Sequence, residues 1–133
     1  MPLKDCMVIV LGGNNDKFPS ICESLSSEYN IRDVVCVHTP IGFNKTITIN
    51  GLYDSLKNST KEFVVVLSEL ELAKGDIEGV VRKFDKERLQ SGKPLLYKGV
   101  KSLEFEWRNK FDFSAAWIVA SRKDLYDAIE SQC

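Results

Sequence analysis

Carboxylates crowd one stretch of this chain: Glu69, Glu71, Asp76 and Glu78 follow directly on the apolar run Phe63-Val64-Val65-Val66-Leu67. Carboxylates held just beyond a strand end can ligate a hard cation or move a proton. The same four residues also suit a solvated loop and the acidic first turn of a helix, where the macrodipole favours negative charge. A second candidate is Gly12-Gly13-Asn14-Asn15, which ends another apolar run and makes Gly13, Asn14 and Asn15 a candidate ligand loop. It lacks the Gly-x-Gly-x-x-Gly spacing that a tight pyrophosphate turn needs. Ile41-Gly42-Phe43-Asn44-Lys45-Thr46 ends as a phosphate-binding loop does, but Thr39 and Asn44 stand where its glycines belong. His38 is the only histidine, hence the only imidazole that could activate a serine or cysteine nucleophile. It ends a predicted strand with no nucleophile elbow nearby, which fits a structural histidine. Cys6, Cys22, Cys36 and Cys133 contain no Cys-x-x-Cys pair, so no zinc site of standard spacing can be assembled and no metal is expected. Reduced, mostly buried thiols are the expectation.

The elements that must position these groups can be read from periodicity. Residues 7–11 and 34–37 are short apolar runs rich in β-branched residues, each followed by breakers, and read as strands. Residues 63–67 are apolar at every position, as expected of a strand covered on both sheet faces, and belong near the middle of the sheet. Phe18, Ile21, Cys22, Leu25 and Tyr29 mark one helix face, Ile49, Leu52, Tyr53 and Leu56 a second, and Ile77, Val80, Val81 and Phe84 a third. Residues 95–97 form a fourth strand, and the alternation over 100–107 a fifth with one exposed face, hence at an edge. Residues 113–120 fit either a helix or a strand. Ser121 with Asp124 resembles a capping box before a last helix carrying Leu125, Ala128 and Ile129. Strands alternating with helices predict an α/β domain with right-handed crossovers and a five-stranded, mostly parallel, doubly wound sheet of flavodoxin-like topology. Ligands and partners of such a sheet meet the loops at the carboxyl ends of the strands, here 12–18, 39–48 and 68–76.

Composition bounds the partners. The 133 residues suit a single domain, 1–133, with 44% apolar and 28% charged residues. A net charge of -1 argues against a surface built for nucleic acid or anionic lipid. The apolar runs are far shorter than the roughly 20 residues of a bilayer span, and residues 1–5 show no secretory signal, so a cytoplasmic placement without membrane insertion is expected. The Asn44 and Asn58 sequons would matter only in a secreted chain.

The order of the pieces resembles a known family. Ile47 to Glu69, with a helix ending in Ser59 and an apolar strand closing in Leu67-Ser68, resembles the middle of a Toll/interleukin receptor (TIR) domain. Ser91-Gly92-Lys93-Pro94-Leu95-Leu96-Tyr97 is similar to that family's fourth strand, and Leu103-Glu104-Phe105-Glu106-Trp107 to its fifth. The resemblance implies a protein–protein interaction module that binds itself or other TIR domains in innate-immune or cytoplasmic signalling, as a homo-oligomer or part of a larger signalling protein. Its interaction loop would be Pro40, Ile41, Gly42, Phe43, Asn44 and Lys45, whose exposed apolar groups flanked by polar ones suit an interface. Some members cleave NAD with a glutamate in the helix after the third strand. Glu78 is the residue in that region, but Lys74-Gly75-Asp76-Ile77 replaces the usual Ser, Trp-Cys and Glu-Leu neighbourhood. Residues 95–102 look closer to signalling adaptors such as the B-cell adaptor group, which scaffold rather than cleave, so no cofactor is implied and NAD enters only as a substrate. A rival reading from another class is a small or truncated nucleotide-sugar transferase of the GT-A type, also built from alternating strands and helices, though the chain is short for that fold and Glu-x-Glu departs from its motif. Its metal-binding Asp-x-Asp after the central strand would correspond to Glu69 and Glu71.

Overall fold

The computed structural model describes residues 5–12, 15–38, 45–68, 77–98, 105–109 and 117–131. Among the described residues six strands and four α-helices follow in the order β1 (Cys6–Gly12), α1 (Phe18–Tyr29), β2 (Val34–His38), α2 (Lys45–Asn58), β3 (Phe63–Ser68), α3 (Ile77–Ser91), β4 (Leu95–Lys98), β5 (Phe105–Arg108), β6 (Trp117–Ser121) and α4 (Arg122–Glu130). A short 3-10 turn, Asn15–Lys17, precedes α1. The strands form one sheet in the order β2-β1-β3-β6-β4-β5.

The α/β class is as predicted, but the five-stranded flavodoxin-like arrangement is not. That topology has the order 2-1-3-4-5, whereas here a sixth strand, β6, lies between β3 and β4 and runs antiparallel to both. Only β2, β1 and β3 form a contiguous parallel set. The segment that fitted either helix or strand therefore contains a strand at 117–121, because Trp117, Ile118, Val119 and Ala120 are buried on both faces. β3 is central and β5 is an edge strand, as their patterns implied.

Alternation sorts the core into two layers. Cys6, Val8, Val10, Phe63, Val65, Leu67, Trp117 and Val119 face α1 and α3, where Leu25, Ile77, Val80, Val81 and Phe84 cover them. Met7, Ile9, Val64, Val66, Ile118 and Ala120 face α2 and α4, covered by Leu52, Leu56, Leu125, Ala128 and Ile129. This placement corrects the expectation of uniformly right-handed crossovers. α1 and α2 carry the chain in opposite directions across the sheet on opposite faces, so they share one hand; α3 continues in the α2 direction but on the α1 face, so its crossover has the other. The physical reason is coverage. With α4 packed beside α2, the opposite face of β3, β6 and β4 is left for α3, whose apolar stripe buries Phe63, Trp117, Val119 and Leu96.

Local chemistry fixes the ends. α1 stops at Asn30, in the left-handed conformation at φ 56°, with Ile31 N–H bonded to Leu25 O at 3.2 Å and Asn30 N–H to Ser26 O at 3.1 Å. Ser121 caps α4 by accepting from Asp124 N–H at 3.1 Å, the half of the capping box that the sequence announced. Ser59, after α2, donates to Asp33 Oδ2 at 2.9 Å and accepts from Lys61 N–H at 3.1 Å, while Asp33 O accepts from Val8 N–H. This ties the turn before β3 to the turn before β2.

α2 approaches β2 closely at Gly51, where an added Cβ would stand 2.7 Å from Val37 Cγ1. Val37 is branched at Cβ and cannot swing aside without changing rotamer. Gly51→Ala should therefore lower stability by on the order of 1 kcal/mol, since overpacking of about 1–3 kcal/mol exceeds a helix-propensity gain of about 1. A drop in Tm checks this, and a rise would mean that edge strand β2 yields freely.

Candidate functional site

Parallel strands point their carboxyl ends to one edge of the sheet, and the order of connections marks a place along that edge. From β1 the chain passes to β2 on one side; from β3 it passes to β4 on the other. The strand order thus reverses between the ends of β1 and β3, the kind of position at which open α/β sheets bind ligands. Gly12 ends β1 there without a side chain, in register with His38 at the end of β2, and Leu11 is in register with Ser68, the last residue of β3. β6 enters on the same edge, its first residue Trp117 in register with Leu67 on one side and Lys98 on the other. The strand ends of β1 and β3 are therefore flanked by β2 beyond β1 and by an antiparallel strand beyond β3. Sequence reasoning missed the β6 boundary, whose signal was the continuous apolar run at 117–120.

The candidate residues distribute unevenly about this edge. Gly13 and Asn14 lie outside the described residues, and Asn15 begins the 3-10 turn between β1 and α1. Pro40, Ile41, Gly42, Phe43 and Asn44 also lie outside them. Lys45 and Thr46, expected in a loop reaching to residue 48, are instead the first residues of α2. Glu69, Glu71 and Asp76 lie outside the described residues between β3 and α3.

Glu78 is described, and its setting is open. It lies in the first turn of α3, is exposed, and accepts from Arg82 at 3.1 Å across one helical turn. A pair so exposed contributes about 0.3–0.5 kcal/mol. This is the acidic first turn that the helix dipole favours. His38 is exposed at its strand end. Cys6 is buried, and burial pushes its thiol up to about 11, which keeps it protonated and inert near neutrality. Among the described residues no group of three His, Cys, Asp or Glu side chains could hold a metal ion, and no helix is long and apolar enough to cross a membrane.

No protein-family model, no curated protein and no solved structure matches this chain. The site must therefore be read from its own geometry.

Proposed function

We propose that this chain is a small GT-A-like nucleotide-sugar transferase domain that binds a sugar nucleotide at the β1/β3 switch point. The observation that carries the reading is the sheet order: β3 is central, it borders the switch point, and antiparallel β6 flanks it. Glu69 and Glu71 are the first carboxylates after that strand in sequence. Two carboxylates are hard oxygen donors, which suits magnesium or manganese shared with phosphate oxygens. A divalent cation bound there would neutralise charge developing on the departing nucleotide diphosphate. Gly13, Asn14 and Asn15 follow β1 in sequence, at the strand end where the switch-point rule expects ligand contacts.

A TIR-type interaction module is the second reading, favoured by the contiguous parallel β2-β1-β3 set and by Ser59 at the end of α2. The antiparallel strand between β3 and β4 weighs against it, because the TIR resemblance implied a flavodoxin-like sheet. Within that reading Pro40, Ile41, Gly42, Phe43, Asn44 and Lys45 contact another TIR domain, and Glu78 is the residue for NAD cleavage.

The test is calorimetric titration with uridine, guanosine, adenosine and cytidine sugar nucleotides, with manganese and with chelator. Binding of one class that requires manganese, weakened about tenfold or more (1.4 kcal/mol per tenfold) in Glu69→Ala/Glu71→Ala, is the expected result. Absence of binding to every class would overturn it. Concentration-dependent assembly abolished by Phe43→Ala would then favour the interaction module, and nicotinamide release lost in Glu78→Ala its NAD-cleaving form.

A further inference from the structure

Two sulfur atoms from different elements meet on the α1 face of the sheet. Cys22 lies on α1 and Cys36 at the middle of β2, and their Sγ atoms are 3.8 Å apart. Cys36 packs with Ile21, Tyr29 and Val34 against the core around Leu25. Both cysteines are partly exposed, unlike Cys6, which is 1% exposed, so a small oxidant can reach the pair.

We propose that Cys22 and Cys36 are a redox-responsive dithiol that closes to an intramolecular disulfide when it meets a disulfide oxidant such as glutathione disulfide. The sulfurs must approach from 3.8 Å to about 2.05 Å for the bond to form. Cys22 loses its proton and attacks one sulfur of glutathione disulfide, whose S–S bond breaks as one glutathione leaves and takes up a proton. Cys36 then loses its proton and attacks the Cys22 sulfur of the mixed disulfide, expelling the second glutathione. Two protein thiols are oxidised and one glutathione disulfide is reduced to two thiols. Burial, and then the hydrogen bond with Cys22, pushes the Cys36 thiol up to about 12, so it attacks as resolving partner only after the mixed disulfide has formed beside it.

The bond has a definite mechanical effect. Among the described residues β2 is an edge strand, hydrogen-bonded to β1 alone, and the cross-link would tie its middle to the helix packed over it. α1 follows β1, and β2 pairs with β1 up to His38, so oxidation braces two elements next to the strand end at which the order reverses.

Peptide mass mapping of a Cys133→Ser variant after incubation with glutathione disulfide tests the proposal. The expected product is a Cys22–Cys36 cross-link, reversed by dithiothreitol, with a Tm raised on the order of 5–10 °C over the reduced form. Cys22→Ala and Cys36→Ala should each lose both the cross-link and the rise. Thiols that remain free, glutathione left attached to Cys22 or Cys36 without closure, or a bond to Cys6 instead would overturn it. Should either alanine variant fail to fold, the mapping of the parent decides alone.

Discussion

Replacing Phe84 with alanine should cost about 3–5 kcal/mol, a large part of the roughly 5–15 kcal/mol that holds an ordinary domain together. Phe84 is 1% exposed and sits where three elements meet. Its ring stacks on Trp107 of β5, with centroids 5.6 Å apart, and meets Phe63 of β3 edge-on at 6.1 Å. Arg88, one turn further along α3, lies over the other ring of the group, 4.9 Å from the centre of Phe63. Truncation removes the transfer energy of the ring and leaves a void bounded by two rigid aromatics that cannot collapse into it. Phe84→Leu keeps most of the volume and should cost less than about 1.5 kcal/mol. Urea unfolding reads both as shifts in midpoint at constant slope. A Phe84→Ala loss below about 1 kcal/mol would show that α3 does not lie over β3 and β5, and would undo the crossover of opposite hand.

The second large effect is expected at Arg122. Its guanidinium donates from Nε to Lys61 O at 3.0 Å and from NH1 to Leu56 O at 3.3 Å, while its backbone N–H donates to Glu62 O at 2.8 Å. Leu56 belongs to the last turn of α2, whose carbonyls have no helical partner and whose dipole end attracts a cation. One side chain thus closes the end of α2 and the turn before β3, from the first residue of α4. Arg122→Ala should lower stability by about 1.5–3 kcal/mol, the range for hydrogen bonds to a charged group. Arg122→Lys should recover little of it, because an ammonium cannot present two divergent donors in a fixed plane. Thermal unfolding of the three proteins gives the comparison. Equal stability of the lysine and arginine forms would mean that charge alone matters there.

Why some of this was legible in sequence and some was not follows from range. β1, β3 and β4 announced themselves because each is apolar over several consecutive residues, a pattern set within the strand. The run at 117–120 carried the same local signal but no length to separate helix from strand, and its partners, β3 and β4, lie earlier in the chain. A pairing between a late strand and two early ones leaves no mark on either neighbour. The same holds for Cys22 and Cys36, whose meeting depends on how α1 lies over β2, and for Arg122, whose acceptors are backbone carbonyls with no residue type to flag them. Ser121 with Asp124 was readable because a helix start alone brings residues three apart together. The switch point was located from strand order, which no single stretch of sequence carries.

The position of β6 has a consequence for synthesis. As the polypeptide leaves the ribosome, β1, β2 and β3 can pair at once, and β4 can pair with β5, but these two pieces share no strand-to-strand bond. Each waits with a bare edge, β3 on one and β4 on the other, until β6 emerges and slides between them. The sheet is thus joined by the last of its described strands, and before that the nascent chain carries two extra open edges, on β3 and β4, of the kind that recruit neighbours into aggregates. A chain arranged this way gains most from a chaperone during the interval between the translation of β4 and that of β6.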